Sequence, residues 1–102
     1  MNGETEKIRT LLKEVIDPEL MVNIVDLGLV YEIKHDAGAK TLLVDLTLSS
    51  AGCPLGGVIM VHVQYVLESN YPGYAVHVNL VWEPVWSMDM VTADGKAALG
   101  WT

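Results

Sequence analysis

A chain of 102 residues that is 51% hydrophobic and carries no internal repeat is read as one domain, spanning 1–102, able to bury a core without metal or disulfide support. Six basic against thirteen acidic residues leave a formal charge of −7, which repels phosphate backbones and disfavours nucleic acid and anionic membranes as main partners. A single cysteine excludes an internal disulfide and every zinc pattern built on paired cysteines. No apolar run approaches the roughly 18–20 residues that span a bilayer, and the polar, acidic start lacks a signal-peptide pattern, so a soluble cytoplasmic protein is expected.

Ile8, Leu11, Leu12, Val15 and Ile16 recur at helical spacing and predict an amphipathic first helix over 4–16, with Asn2 as cap and Asp17-Pro18 as terminator. A loop follows through Asp26-Leu27-Gly28. Residues 29–35 and 41–48 then predict two strands joined by a hairpin across His35–Lys40. In the second strand Leu42, Val44, Leu46 and Leu48 alternate with Leu43, Asp45 and Thr47, giving one buried and one mixed face. Ser49-Ser50-Ala51-Gly52 breaks that strand, and Cys53-Pro54 opens a second helix over about 54–69. Its predicted buried stripe is Leu55, Ile59, His62, Val63, Val66 and Leu67. Tyr71-Pro72-Gly73 stops the helix, and 74–82 read as a third strand with Val76, Val78, Leu80 and Trp82 on one face. A loop through Trp86 leads to a short helix near 92–99, capped by Thr92 and ended by Gly100, although Gly95 weakens it by roughly 1 kcal/mol relative to Ala. The order α-β-β-α-β-α predicts an α+β fold, a small two-layer α/β sandwich with a three-stranded mixed sheet. Fold class alone says nothing about chemistry.

The chemistry-bearing residue is Cys53. Pro54 suits the first position of a helix, so Cys53 occupies or adjoins the N-cap, where free backbone N–H groups and the dipole favour thiolate over thiol. Gly52 permits an unusual backbone angle, and the hydroxyls of Ser49 and Ser50 are able to donate to sulfur. The opposing reading is an inert buried spacer, a common fate of a lone cysteine. Local geometry leaves both open.

Four motifs stand in order along the chain: Asp17-Pro18-Glu19, Asn23-Ile24-Val25-Asp26-Leu27-Gly28-Leu29-Val30-Tyr31, Thr47-Leu48-Ser49-Ser50-Ala51-Gly52-Cys53-Pro54, and Trp82-Glu83-Pro84-Val85-Trp86-Ser87-Met88-Asp89-Met90. Together they closely resemble the PaaD/SufT-type domain family of iron–sulfur cluster maturation, over about residues 8–100. The resemblance implies an α/β domain that helps to mature or deliver iron–sulfur clusters, with Cys53 as its key thiol. Asp17 and Asp26 match the family's two loop aspartates, with Glu19 beside the first. Ser49 stands where many members have Thr, and Gly56-Gly57 replaces bulkier or charged residues. The cysteine-bearing C-terminal segment of the phenylacetate-oxygenase branch and the P-loop motif of ATPase fusions are not found in this sequence.

Other candidates compete with bland roles. Asp17, Glu19 and Asp26 either face Cys53 in a shallow pocket or cap turns and meet solvent. Nearby carboxylates would raise the thiol pKa and oppose the helix dipole. His62 follows Cys53 by nine residues, about 13 Å along a helix, so it cannot serve that thiol as a base and is expected to be packed. Trp82 is expected in the core. Trp86 and Met88 are candidates for partner contact.

A stable iron–sulfur cluster normally takes four protein ligands, and this chain offers one thiol. No stably bound cofactor is therefore expected, only a transient iron–sulfur cluster on Cys53. Three arrangements meet the ligand shortage: ligation shared with a partner, a homodimer presenting two Cys53 side chains, or an adaptor that docks a carrier to a target. The expected partners are iron–sulfur assembly proteins and client apo-proteins, and no enzymatic turnover is expected. The alternatives are a thiol-dependent redox or transfer enzyme and a pure protein-interaction module.

Overall fold

The computed structural model describes residues 3–48 and 56–100. Hydrophobic alternation sets the sheet. β1 (Val30–Asp36) and β2 (Thr41–Leu46) pair antiparallel through a turn at 37–40, and β3 (Ala75–Leu80) lies parallel to β2 on its other side, giving the order β1-β2-β3. Leu42, Val44 and Leu46 are fully buried on one face, against the helix layer. α1 (Gly3–Leu11) packs on β1, and α2 (Gly56–Asn70) packs on β3. α3 (Ala93–Leu99) closes the chain order α-β-β-α-β-α. The three-stranded mixed sheet and this element order are those read from the sequence.

Several details differ. The first helix stops at Leu11, and a 3₁₀ turn over Leu12–Glu14 replaces its last turn. Val15 is already extended (φ −90°, ψ 115°) and Ile16 forms a β-bridge with Asn23. The restriction imposed by Pro18 on Asp17 thus propagates backward, and Ile16 leaves the helical stripe for a 43% exposed position.

His62 is exposed rather than packed. The buried stripe of α2 runs Ile59, Val63, Val66, Leu67, and position 62 falls outside it, beside Val58, Val61 and Tyr65. Leu55 lies outside the described residues. Trp82 is 42% exposed and not a core residue. The ladder to β2 ends with Val81 donating to the Leu46 carbonyl at 2.8 Å, and the chain then leaves the sheet, so strand alternation does not reach residue 82. A further 3₁₀ turn, Met88–Met90, lies in the expected loop.

α3 starts and stops as predicted. The Thr92 side chain accepts from the Gly95 N–H, and Gly100 ends the helix at φ 79°. No helix among the described residues is long and apolar enough to cross a membrane.

Candidate functional site

Parallel pairing of β2 with β3 and antiparallel pairing with β1 bring the end of β2, the end of β3 and the start of β1 to one end of the sheet. Thr47 donates its N–H to the Leu29 carbonyl at 2.8 Å, beside the Val81–Leu46 bond. Parts of three of the four motifs therefore meet: the 23–31 loop, the entry to the cysteine segment at Thr47-Leu48, and the segment that begins at Trp82. Ser49, Ser50, Gly52, Cys53 and Pro54 lie outside the described residues. Leu48 and Thr47, which lead into that segment, are both buried.

The loop that starts with Asp17 is folded on its own backbone. Asp17 N–H donates to the Val22 carbonyl at 2.9 Å and Met21 N–H returns to the Asp17 carbonyl at 2.7 Å. The Asp17 carboxylate is buried (1% exposed), and one oxygen accepts from the N–H groups of Glu19 (2.8 Å) and Leu20 (3.1 Å). That is an Asx turn, which holds the carboxylate against its own loop. Glu19 itself is exposed.

Asp26 holds two segments together. Asn23 caps the following turn by accepting from the Asp26 N–H at 2.8 Å, and its amide donates back to the Asp26 carboxylate at 2.7 Å. The other carboxylate oxygen accepts from the Thr92 hydroxyl at 2.9 Å, while Thr92 N–H reaches the Asp26 carbonyl at 2.8 Å. The Asn23 hydrogen bond, followed by that from Thr92, holds the Asp26 carboxyl below the usual aspartate range against the opposing effect of desolvation. The signal was present in the sequence as Asn23-x-x-Asp26, the spacing of a capping box.

Trp86 tightens the same clasp. It is half-buried and donates its indole N–H to the Leu27 carbonyl at 2.7 Å, whereas Met88 is 59% exposed. Tyr31 donates to the Pro84 carbonyl at 2.7 Å and also approaches Met90 Sδ at 3.4 Å.

Beside these bonds lies a cleft of about 630 Å³ between the open face of the sheet and the 83–90 segment. Tyr31, Glu32, Asp45 and Glu83 line it, with Val81, Pro84 and Met90 as apolar wall. A register shift between Val30 and Glu32 allows the neighbours Tyr31 and Glu32 to line the same cleft, as a bulge does. Burial, then the Glu83 carboxylate, pushes the Tyr31 phenol upward. Sequence reasoning did not single out this cleft, because simple alternation assigns Tyr31 and Glu32 to opposite faces. Among the described residues, no group of three or more His, Cys, Asp or Glu is arranged to hold a metal ion.

The sequence profile of the iron–sulfur cluster assembly protein family matches residues 5–80. The chain belongs to that family. It is 47% identical over 87 residues to the Fe-S protein maturation auxiliary factor SufT of Staphylococcus aureus, covering 84% of this chain and 97% of that one. It is 40% identical to the Fe-S protein maturation auxiliary factor YitW of Bacillus subtilis, covering 93% and 92% of the two chains. A crystal structure of a DUF59 domain from Bacillus anthracis superposes with a TM-score of 0.88 at 40% identity, over 96% of this chain and 92% of that one. This iron–sulfur cluster assembly family member is thus similar to its relatives over nearly the full length of each, and the SufT-like resemblance of the four motifs is borne out.

Proposed function

We propose that this protein is a cytoplasmic, non-enzymatic auxiliary factor in the maturation of iron–sulfur proteins, with Cys53 taking part in transient ligation of a cluster or in its delivery to clients. The observation that carries this reading is the near full-length similarity to SufT and YitW, both named as maturation auxiliary factors. One thiol supports transient rather than stable holding, because a cluster normally needs four ligands. The cluster is then cargo, completed by ligands from iron–sulfur assembly proteins or client apo-proteins.

Reconstitution tests it. Cys53→Ala is expected to lose maturation of a client iron–sulfur enzyme, and maturation at the normal level would overturn the role of the thiol. Alkylation of Cys53 against pH provides a second readout, with a thiol pKa below the ~8.5 of a free cysteine expected for an activated group. A small-molecule turnover that needs Cys53 and no partner would instead mark an enzyme. Loss of activity in Trp86 or Met88 variants, with Cys53→Ala unaffected, would mark a pure interaction module.

A further inference from the structure

The two edges of the sheet are treated differently. β1 carries Glu32, Lys34 and Asp36 and a register shift, features that discourage strand addition at an edge. β3 (Ala75–Leu80) has no charged residue, no proline and an unbroken register with β2, and among the described residues it pairs with β2 alone. The N–H groups of Ala75 and Val81 bond to Lys40 and Leu46 carbonyls, so by alternation those of Val76, Val78 and Leu80 point away from β2. Gln64 donates to the Val76 carbonyl at 3.1 Å, consistent with that outward direction.

Beside this edge lies an apolar helix face. Val58, Val61 and Tyr65 of α2 follow one stripe and are 57%, 70% and 67% exposed. Val61 and Tyr65 also line, with Met60 and Val78, a groove of about 350 Å³ between α2 and β3.

We propose that this edge and helix face together form a self-association surface, occupied by a second copy of the chain. β3 pairs antiparallel with its copy about a two-fold axis at Val78, and the same rotation brings the two α2 stripes together across the seam. A two-fold contact is self-complementary by construction, so one operation covers both the strand edge and the helix face. A single extended peptide would cover the strand edge and leave the outer stripe at Val58 exposed. Charge points the same way. Each copy carries −7, and the groove and stripe include one carboxylate, Glu68, and no Lys or Arg, so like-charge repulsion across this face is low and a cationic partner finds little to pair with. The Val76 carbonyl retains a second lone pair for the copy's N–H. The consequence for cluster handling, two Cys53 thiols in one assembly, rests on the function proposed above.

Sedimentation equilibrium of the full chain under reducing conditions tests the surface, together with amide hydrogen exchange. A dimer is expected that dissociates on dilution, with Val76, Val78 and Leu80 amides exchanging faster in the monomer while His77 and Asn79 stay slow. Val61→Glu and Tyr65→Glu, both at exposed positions, are expected to halve the mass while leaving the circular dichroism unchanged. A monomer at every concentration overturns the proposal, whether or not some peptide binds the edge. So does a dimer that survives both substitutions, or one in which the Val78 amide stays unprotected. Cys53→Ala is expected to dimerise normally. A Cys53→Ala dimer that still matures clients sinks the thiol reading alone, and loss of the dimer in Cys53→Ala sinks the strand-edge contact alone.

Discussion

Gly28 lies against the backbone of Met90 so closely that a Cβ on Gly28 would stand 2.3 Å from the Met90 carbonyl oxygen. Gly28 also has φ 80°, the left-handed region that side chains rarely adopt. These two facts make the 23–31 loop and the 82–90 segment one unit, since no other residue type lets the two backbones meet.

Gly28→Ala is therefore expected to be strongly destabilising. The left-handed backbone contributes roughly 1–2 kcal/mol, and the collision with main chain adds about 1–3 kcal/mol. Urea denaturation measures the sum, and a change within about 0.5 kcal/mol, as at an unconstrained surface site, would contradict the close contact.

Gly95→Ala separates helix propensity from packing. Propensity alone predicts a gain of about 1 kcal/mol in α3. The structure predicts a loss, because Gly95 is buried and its Cβ would lie 2.7 Å from the Asp26 carbonyl oxygen and 2.8 Å from a Val91 methyl. The sign of the change in thermal midpoint decides between them.

Asp26→Asn probes the clasp through pH. The folded Asp26 pKa lies below its ordinary value of 3.8, so the carboxylate contributes stability that is fully present above that value and is lost as pH falls through the folded pKa. Wild type is expected to lose more stability than Asp26→Asn on acidification from neutral pH to below 3.8, measured by denaturation at each pH. Parallel pH profiles for the two proteins would show that the Asn23 and Thr92 hydrogen bonds do not favour the charged form.

Thr47→Val addresses a buried hydroxyl that has no hydrogen-bond partner among the described residues. Valine keeps the β-branched shape and removes the unpaired polar group, so stability is expected to rise by about 1 kcal/mol. A loss of similar size would show that the hydroxyl is satisfied in solution.

Local signals read correctly where they depend on neighbours in the chain. Alternation of Leu42, Val44 and Leu46 located β2, Thr92 and Gly100 bounded α3, and four ordered motifs carried the family resemblance. They misled where the chain left the periodic pattern earlier than the apolar residues did. Ile16 left its helix for a bridge to Asn23, and Trp82 passed beyond the ladder into an exposed position. Gly95, which looks like a weak point of α3 by propensity, is required by the approach of Asp26.

By itself the sequence determined the family, the element order and the single thiol, because periodicity, caps and motif spacing are short-range properties written along the chain. Tertiary structure decided which motifs share one end of the sheet, that Asp17 turns into its own loop while Asp26 reaches Thr92, and that β3, which among the described residues pairs with β2 alone, lies beside an apolar helix face. Those relations depend on β3 lying beside β2 rather than β1, a long-range choice of neighbour that no local pattern specifies.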